Sequence, residues 1–422
     1  METYLRLMFL KFRYRLGFES LCREVSDSIT WRQFCRIGLD RPVPHPTTLM
    51  KLTTRCGSAA VDGLNEALLA KAVAAKLLRC TRVRVDTTVV PANVAYPTDS
   101  GLLAKAVRRI AVTGRRIRAA GGAVRTKLRD RSRAAGRRAH DLNAKLRTRA
   151  ATAKEEALEV VRRKNSELAD LAETAAAEAE RLLTNAKRAL YTARKKAAEL
   201  TAAGSRDAAA GRRRGRLARA INDLTKLLEA TRRIAAQTRQ RVAGATPDGA
   251  TRRVSLHDPD ARPIAKGRLG KPVEFGHKAQ VCDNDDGIVL DHDVQPGNPA
   301  DAPRLEPAIK RVIRRTGRKP RTVAADRGYG EQSVDDALRD LGVPNVVIPR
   351  KGRPTKARQS QEHRRAFRRH VKWRTGCEGR ISTLKRGYGW DRSRIDTTQG
   401  ARTWVGHGVL AHNLIKISAL AA

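Results

Sequence analysis

The chain has 422 residues, room for two or three domains with real cores. Its 87 Lys and Arg against 43 Asp and Glu leave a net charge of +44, a surplus that solubility does not need and that points to a polyanion, most directly nucleic acid. There is no long uncharged apolar stretch, which argues against a membrane protein and predicts a cytoplasmic one, and six scattered cysteines without a CxxC pair predict reduced, buried thiols instead of a zinc site or disulfide framework.

The opening stretch "METYLRLMFLKFRYRLGFESL" is apolar but cut by Arg6, Lys11, Arg13 and Arg15, so it predicts a basic amphipathic helix and not a signal peptide. "FESLCREVSDSITWRQFCRI" continues at helical spacing, and "HPTTLMKLTTRCG" offers a Thr cap after Pro46 and a stop at Gly57. Residues 1–80 therefore read as an all-α region suited to DNA binding; a plain helical bundle fits the same periodicity.

In 81–101, "RVRVDTTVV" is strand-like, with Val83 and Val85 on one face and Arg84 and Asp86 on the other. An aspartate suits a β-branched run poorly and so needs a reason, either functional or a salt bridge to Arg82 or Arg84. Asp99 in "YPTDSG" is expected to cap the next helix.

Residues 102–246 shift to Ala, Arg, Lys, Glu and Leu with no proline, which is long-helix composition. The glycines of "RAAGGAV" and "TAAGSRDAAAGRRRGR" could break it into an antiparallel hairpin or small bundle. Its basic faces could lie along phosphates, although any one Arg is better read as a solvated helix surface.

In 247–422 the texture becomes α/β. "PVEFGHKAQV", "CDNDDG" and "IVLDHDV" predict strand, tight turn and strand, with Asp283, Asp285 and Asp286 as turn residues and His292 as a structural histidine more readily than a metal ligand. "DAPRLEPAIKRVIRRTG" predicts a helix ended by Gly317, "RTVAAD" a strand, "GEQSVDDALRDLG" a helix stopped by Gly342, and "NVVIPR" a strand. Strand, helix, strand at this spacing is a parallel crossover, which sets Asp326 at a strand's carboxyl end, where open α/β sheets keep their ligand crevices. In "WRTGCEGRISTLKRGYGW" a helix would put Arg374, Glu378, Ile381 and Lys385 on one face, a pattern that plain helix stabilisation also explains. Tyr388, Trp390 and Trp404 among Arg386, Arg392, Arg394 and Arg402 suit base stacking or, almost equally, core packing.

Two strand aspartates and a helical glutamate are hard oxygen ligands of the kind that hold two Mg²⁺ ions about 3.5–4 Å apart for in-line attack on a phosphodiester. The order Asp, Asp, Glu, with "ADRGYG" around the second and R-x3-E-x6-K around the third, resembles the DDE transposases of bacterial insertion sequences, as do "VDTTVVPANVAYPTDSGLL", "GNPADAP" and "VVIPRKG". The position three before the Arg, often Tyr in that family, is Val371.

The resemblance implies a ribonuclease H-like α/β core, split after its first strand by the long helical insertion, with Asp86, Asp326 and Glu378 as catalytic, metal-binding residues for two Mg²⁺ or Mn²⁺ ions. Arg374 and Lys385, with Arg386 and Arg327, would contact DNA. Implied partners are double-stranded DNA at element ends and targets, and a second copy of the chain in a homodimer or higher oligomer, in a bacterial, nucleoid-associated setting. A leading segment found in relatives is expected to be missing here. A purely hydrolytic nuclease and a non-catalytic basic DNA-binding protein are the rival readings.

Overall fold

Apolar residues at helical spacing form α1 (Glu2–Arg13), α2 (Phe18–Asp27), α3 (Ile29–Phe34) and α4 (Pro46–Ala74). In the computed structural model, which describes residues 1–146, 154–202, 207–266 and 272–422, α4 begins differently from expectation. Its cap is His45, whose Nδ1 accepts from Thr47 N at 3.3 Å, with Pro46 in the first turn where its missing N–H costs nothing. Gly57 does not end the helix; at φ +66° it kinks it and the helix resumes. The β-branched run then forms β1 (Arg82–Pro91).

The chain divides into two units, Met1–Asn93 with Asp260–Ala422, and Val94–Pro259. Among its described residues the second unit's elements are helices: α5 (Asp99–Ala119), α6 (Ser132–Leu146), α7 (Lys154–Ala202) and α8 (Ala208–Val242). These four share one core, in which Ile110 and Ile117 meet Leu142, Leu168, Leu182, Leu224 and Ile234 among close-packed alanines. Alanine at the contact surfaces lets long helices approach closely without losing helix propensity. Thr98, not Asp99, caps α5, accepting from Gly101 N at 3.1 Å; Asp99 is buried and takes a hydrogen bond from Gln237 at 3.0 Å. Gly121, at φ +83°, does follow the end of α5, but Gly211 and Gly215 lie inside α8, and Gly204 falls outside the described residues.

The first unit resumes with β2 (Arg262–Ala265), β3 (Val273–Asp283), β4 (Val289–Pro296), α9 (Ala302–Thr316), β5 (Thr322–Ala324), α10 (Gln332–Asp340), β6 (Asn345–Val347), α11 (Lys356–His363), α12 (Arg365–Arg374), α13 (Gly376–Gly387) and α14 (Thr397–Ala421). Gly317 ends α9 in the left-handed conformation, as its sequence position predicts. The sheet runs β2-β3-β1-β5-β6, with β4 also on β3. β1 pairs antiparallel with β3, Asp86 opposite Val281, and parallel with β5, which pairs parallel with β6.

This antiparallel-then-parallel sheet is the ribonuclease H-like arrangement, and it is covered on both faces. Val83 and Val85 pack with Leu305, Ile309 and Val312 of α9, while Val90 and Val281 join a core with Phe12, Trp390 and Trp404. Tyr388, Trp390 and Trp404 are all buried, which decides for core packing over base stacking. All six cysteines are free, and all but the half-buried Cys56 are buried.

Candidate active site

β1 alternates so that residue 86 cannot share the face of Val83 and Val85, yet Asp86 is still buried. The salt bridge expected to Arg82 or Arg84 does not form, because both arginines are committed elsewhere. Arg84 makes a two-pronged pair with Asp283, at 2.8 and 2.9 Å, and Arg82 pairs with Asp285. Asp283 is thus the buried last residue of β3 and not a turn residue, whereas Asp285 and Asp286 do lie in the turn, Asp286 paired with Arg79.

What Asp86 does meet is Arg374, whose Nη1 donates to its Oδ2 at 2.9 Å; its Oδ1 accepts from Thr87 N at 2.8 Å. Burial pushes the Asp86 carboxyl up to about 6, against the pull of Arg374, and the negative charges of Asp326 and Glu378 add to the rise. These three carboxyls, far apart in sequence, therefore feel one another.

Asp326 lies two residues beyond β5 and caps a 3-10 turn over Arg327–Tyr329, its Oδ1 accepting from Gly328 N at 2.9 Å. Both glycines and the tyrosine of "ADRGYG" have local reasons. A side chain at Gly328 would crowd the Asp326 carboxylate, Tyr329 is buried with its hydroxyl accepting from Gln280 at 3.0 Å, and a Cβ on Gly330 would run into the backbone of Pro349 and Lys351. Burial and the neighbouring Asp301 charge raise the Asp326 carboxyl above its ordinary value, opposed by the Gly328 N–H and by Arg374 and Lys278. Lys278 itself pairs with Asp301 at 2.8 Å. Composition did not single out Asp301 or Lys278; Asp301 falls in "GNPADAP", one of the stretches that carry the family resemblance, and Lys278 lies in the stretch read only as a strand.

The expected single helix around Glu378 is divided, with α12 ending at Arg374 and α13 starting at Gly376. The i, i+4 relation survives the division, because Arg374 Nη2 donates to Glu378 Oε1 at 3.1 Å. Glu378 itself is exposed, its side chain 62 % accessible. Arg84 sets the approach of α12: its guanidinium donates to the Trp373 carbonyl at 3.2 Å and lies over the indole ring at 5.0 Å, as does Arg82 at 4.8 Å. Gly376 leaves room for that guanidinium, which an added Cβ would strike.

Among the basic residues singled out from sequence, Arg374 is committed to carboxylates, Arg327 and Arg386 are exposed, and Lys385 is half-buried two helical turns beyond Glu378. His292 is remote in role: it lies on β4, 3.5 Å from Asp62. As they stand, no three His, Cys, Asp or Glu side chains among the described residues converge on one point as a metal cage. The donor type nevertheless fits a hard divalent cation, being all carboxylate, and the cation now lying between Asp86 and Glu378 is the Arg374 guanidinium.

Comparison with known families agrees with this core. The family model "Transposase DDE domain" matches residues 248–414, and "Transposase domain (DUF772)" matches residues 1–55. A search of curated proteins and one of solved structures each return no match. The matched core contains Asp326 and Glu378 but not Asp86, which the helical unit separates from it in sequence and which the pairing of β1 with β3 and β5 returns to it in space. No helix among the described residues is long and apolar enough to cross a membrane. A transposase match at each end of the chain, on a ribonuclease H-like sheet, shows that it is a DNA-binding enzyme belonging to the DDE transposases.

Proposed function

We propose that this chain is the transposase of a bacterial insertion sequence, that it binds the element's terminal inverted repeats, and that it cleaves and joins DNA with Asp86, Asp326 and Glu378 as its catalytic carboxylates. The observation that carries this reading is the meeting of Asp86 from β1 with Glu378 from α13 through one guanidinium, with the Asp326 charge felt at the same place. DDE transposases in general work with divalent metal ions. Here Asp86, Asp326 and Glu378 would hold Mg²⁺ or Mn²⁺, two ions per site, and the bound metal would supply positive charge to a phosphodiester under attack.

The remaining work falls to the protein. Asp86 is fixed by the Thr87 amide and Asp326 by the Gly328 amide, so two carboxylates are pre-aimed, while exposed Glu378 is free to adjust. Arg374 neutralises the site while no substrate is present and is placed to turn to a DNA phosphate, with Arg327, Lys385 and Arg386 as further phosphate contacts. Two element ends must be held together for joining, so the working form is a homodimer or larger. The helical unit is the candidate contact, since α7, about 74 Å long by its rise per residue, exposes Leu158, Tyr191 and Leu200.

The test uses a plasmid carrying the gene's flanking DNA, the purified protein and its Glu378→Gln variant, with Mg²⁺ or Mn²⁺ and mapping of nicks. Cuts at the element boundary by the wild type alone, followed by strand joining, are expected. Cutting without joining would leave a hydrolytic nuclease, and salt-sensitive binding without any cutting would leave an architectural DNA binder. Light scattering of the protein on paired ends tests the assembly, which a monomer there would overturn.

A further inference from the structure

The C-terminal end of α1 carries an arrangement that DNA cleavage does not by itself require. Lys11 is almost fully buried, with only 2 % of its surface exposed, yet its ammonium has no carboxylate partner among the described residues. Nζ donates to Leu16 O at 3.1 Å and otherwise faces rings, 4.3 Å from the centre of Trp404 and 4.6 Å from that of Phe18. A buried ammonium held this way lacks the counter-charge that an arriving anion would supply.

It lines a cleft of about 30 Å³ whose other charged residues are Arg15, Arg392, Arg394 and Asp391, four cations against one carboxylate. Asp391 is already paired with Arg15 at 2.7 Å, whereas Arg392 and Arg394 are not buried and make no ion pair among the described residues. Burial and the Arg394 charge push the Lys11 ammonium down to about 7, the direction an arriving anion would reverse. Arg15 closes the same end of α1. It occupies the left-handed position after α1, φ +57°, where Leu16 N closes onto Lys11 O at 2.9 Å, a position at which glycine would be the unstrained choice.

At about 10–15 Å³ per water-sized group, the cleft has room for two or three oxygens. That suits the two free oxygens of a phosphodiester. We propose that the cleft between the end of α1 and the 389–394 loop binds one backbone phosphate of the DNA strand leading away from the catalytic carboxylates. The proposal rests on the DNA-cleaving reading above. α13 links the two places, since Glu378 and the helix's last residue, Gly387, are separated by about 14 Å along its axis, and the unpaired Arg392 and Arg394 at the mouth suit a continuous chain of phosphates better than one isolated ion.

The experiment titrates full-length wild type, Arg394→Gln and Lys11→Met with a duplex carrying the element end at several salt concentrations, and separately with inorganic phosphate at constant ionic strength. Arg394 is exposed, so its variant keeps the fold even if Lys11→Met does not. Expected is weaker DNA binding by Arg394→Gln with a salt slope lower by about one. Unchanged affinity and slope in Arg394→Gln, beside a wild type that binds and cuts, overturns the cleft alone. Saturable phosphate binding lost in Arg394→Gln while DNA binding is unchanged would assign the cleft to a small free phosphate and also overturn it. A wild type that binds no DNA would remove the DNA-cleaving reading itself.

Discussion

Arg374 and Asp86, 288 residues apart in sequence, are joined by a 2.9 Å hydrogen bond that places a cation against the most buried of the three candidate carboxylates. The same guanidinium holds Glu378 at 3.1 Å. A divalent ion and this arginine therefore compete for the same charge. Replacing Arg374 with Met is expected to tighten Mn²⁺ binding to the DNA-free protein, read by the loss of free Mn²⁺ signal in electron paramagnetic resonance. Arg374→Lys should fall between the two, since a point charge replaces a fork. Equal Mn²⁺ affinity in all three proteins would mean that the arginine does not guard the site.

Asp86 gives a prediction whose sign follows from its raised pKa. A carboxyl at about 6 in the folded chain, against its ordinary value near 3.8, binds its proton more tightly folded than unfolded. Its contribution to stability therefore falls as pH rises from about 4 to about 6 and is level above that. Asp86→Asn lacks this fall, so thermal unfolding should show the variant gaining on the wild type across that window, by at most about 3 kcal/mol, the free-energy equivalent of raising a pKa by roughly two. Cleavage by the variant should be lost. A variant that gains nothing between pH 4 and 6 would show that Asp86 is not raised.

Much of the core was legible because its signals are local. The turn after β3 is written in "DDG", the ends of α9 and α10 in Gly317 and Gly342, and the place of Asp326 in the strand, helix, strand spacing around it. What escaped was set by distant partners. Asp283 looked like a turn residue because nothing in "CDNDDG" announces that Arg84, 199 residues earlier, will pair with it across β1 and β3. The division of the helix between Arg374 and Gly376 escaped for a related reason, since the space for the Arg84 guanidinium exists only in the folded chain. Thr98 and Asp99 are both good cap residues, and burial of Asp99 against Gln237 decided between them.

The Arg84–Asp283 pair yields a stability prediction. Asp283 is fully buried, and without Arg84 its only remaining ion-pair partner among the described residues is Arg380 at 3.4 Å. Arg84→Met should cost about 3–5 kcal/mol, as for other buried pairs broken on one side. Denaturant unfolding of Arg84→Met and of the double variant Arg84→Met, Asp283→Leu separates the lost pair from the stranded charge. Partial recovery in the double variant is expected; a double variant no better than the single one would place the cost in the lost hold on Trp373.

Gly330 closes the "ADRGYG" turn where its α-carbon faces the backbone between Pro349 and Lys351, and Lys351 N donates to Gly330 O at 2.8 Å. A methyl group there meets main chain, which cannot rotate away as a side chain can. Gly330→Ala should therefore destabilise by about 1–3 kcal/mol, the usual cost of overpacking, and shift the 3-10 turn that aims Asp326. Gly379→Ala is the control, because an added Cβ on that exposed α13 residue meets no atom within 4 Å. Denaturant midpoints and cleavage rates of the two variants, measured side by side, should show both quantities reduced for Gly330→Ala and neither for Gly379→Ala. Full activity in Gly330→Ala would mean that the turn tolerates the displacement and that Asp326 is aimed by its bond to Gly328 alone.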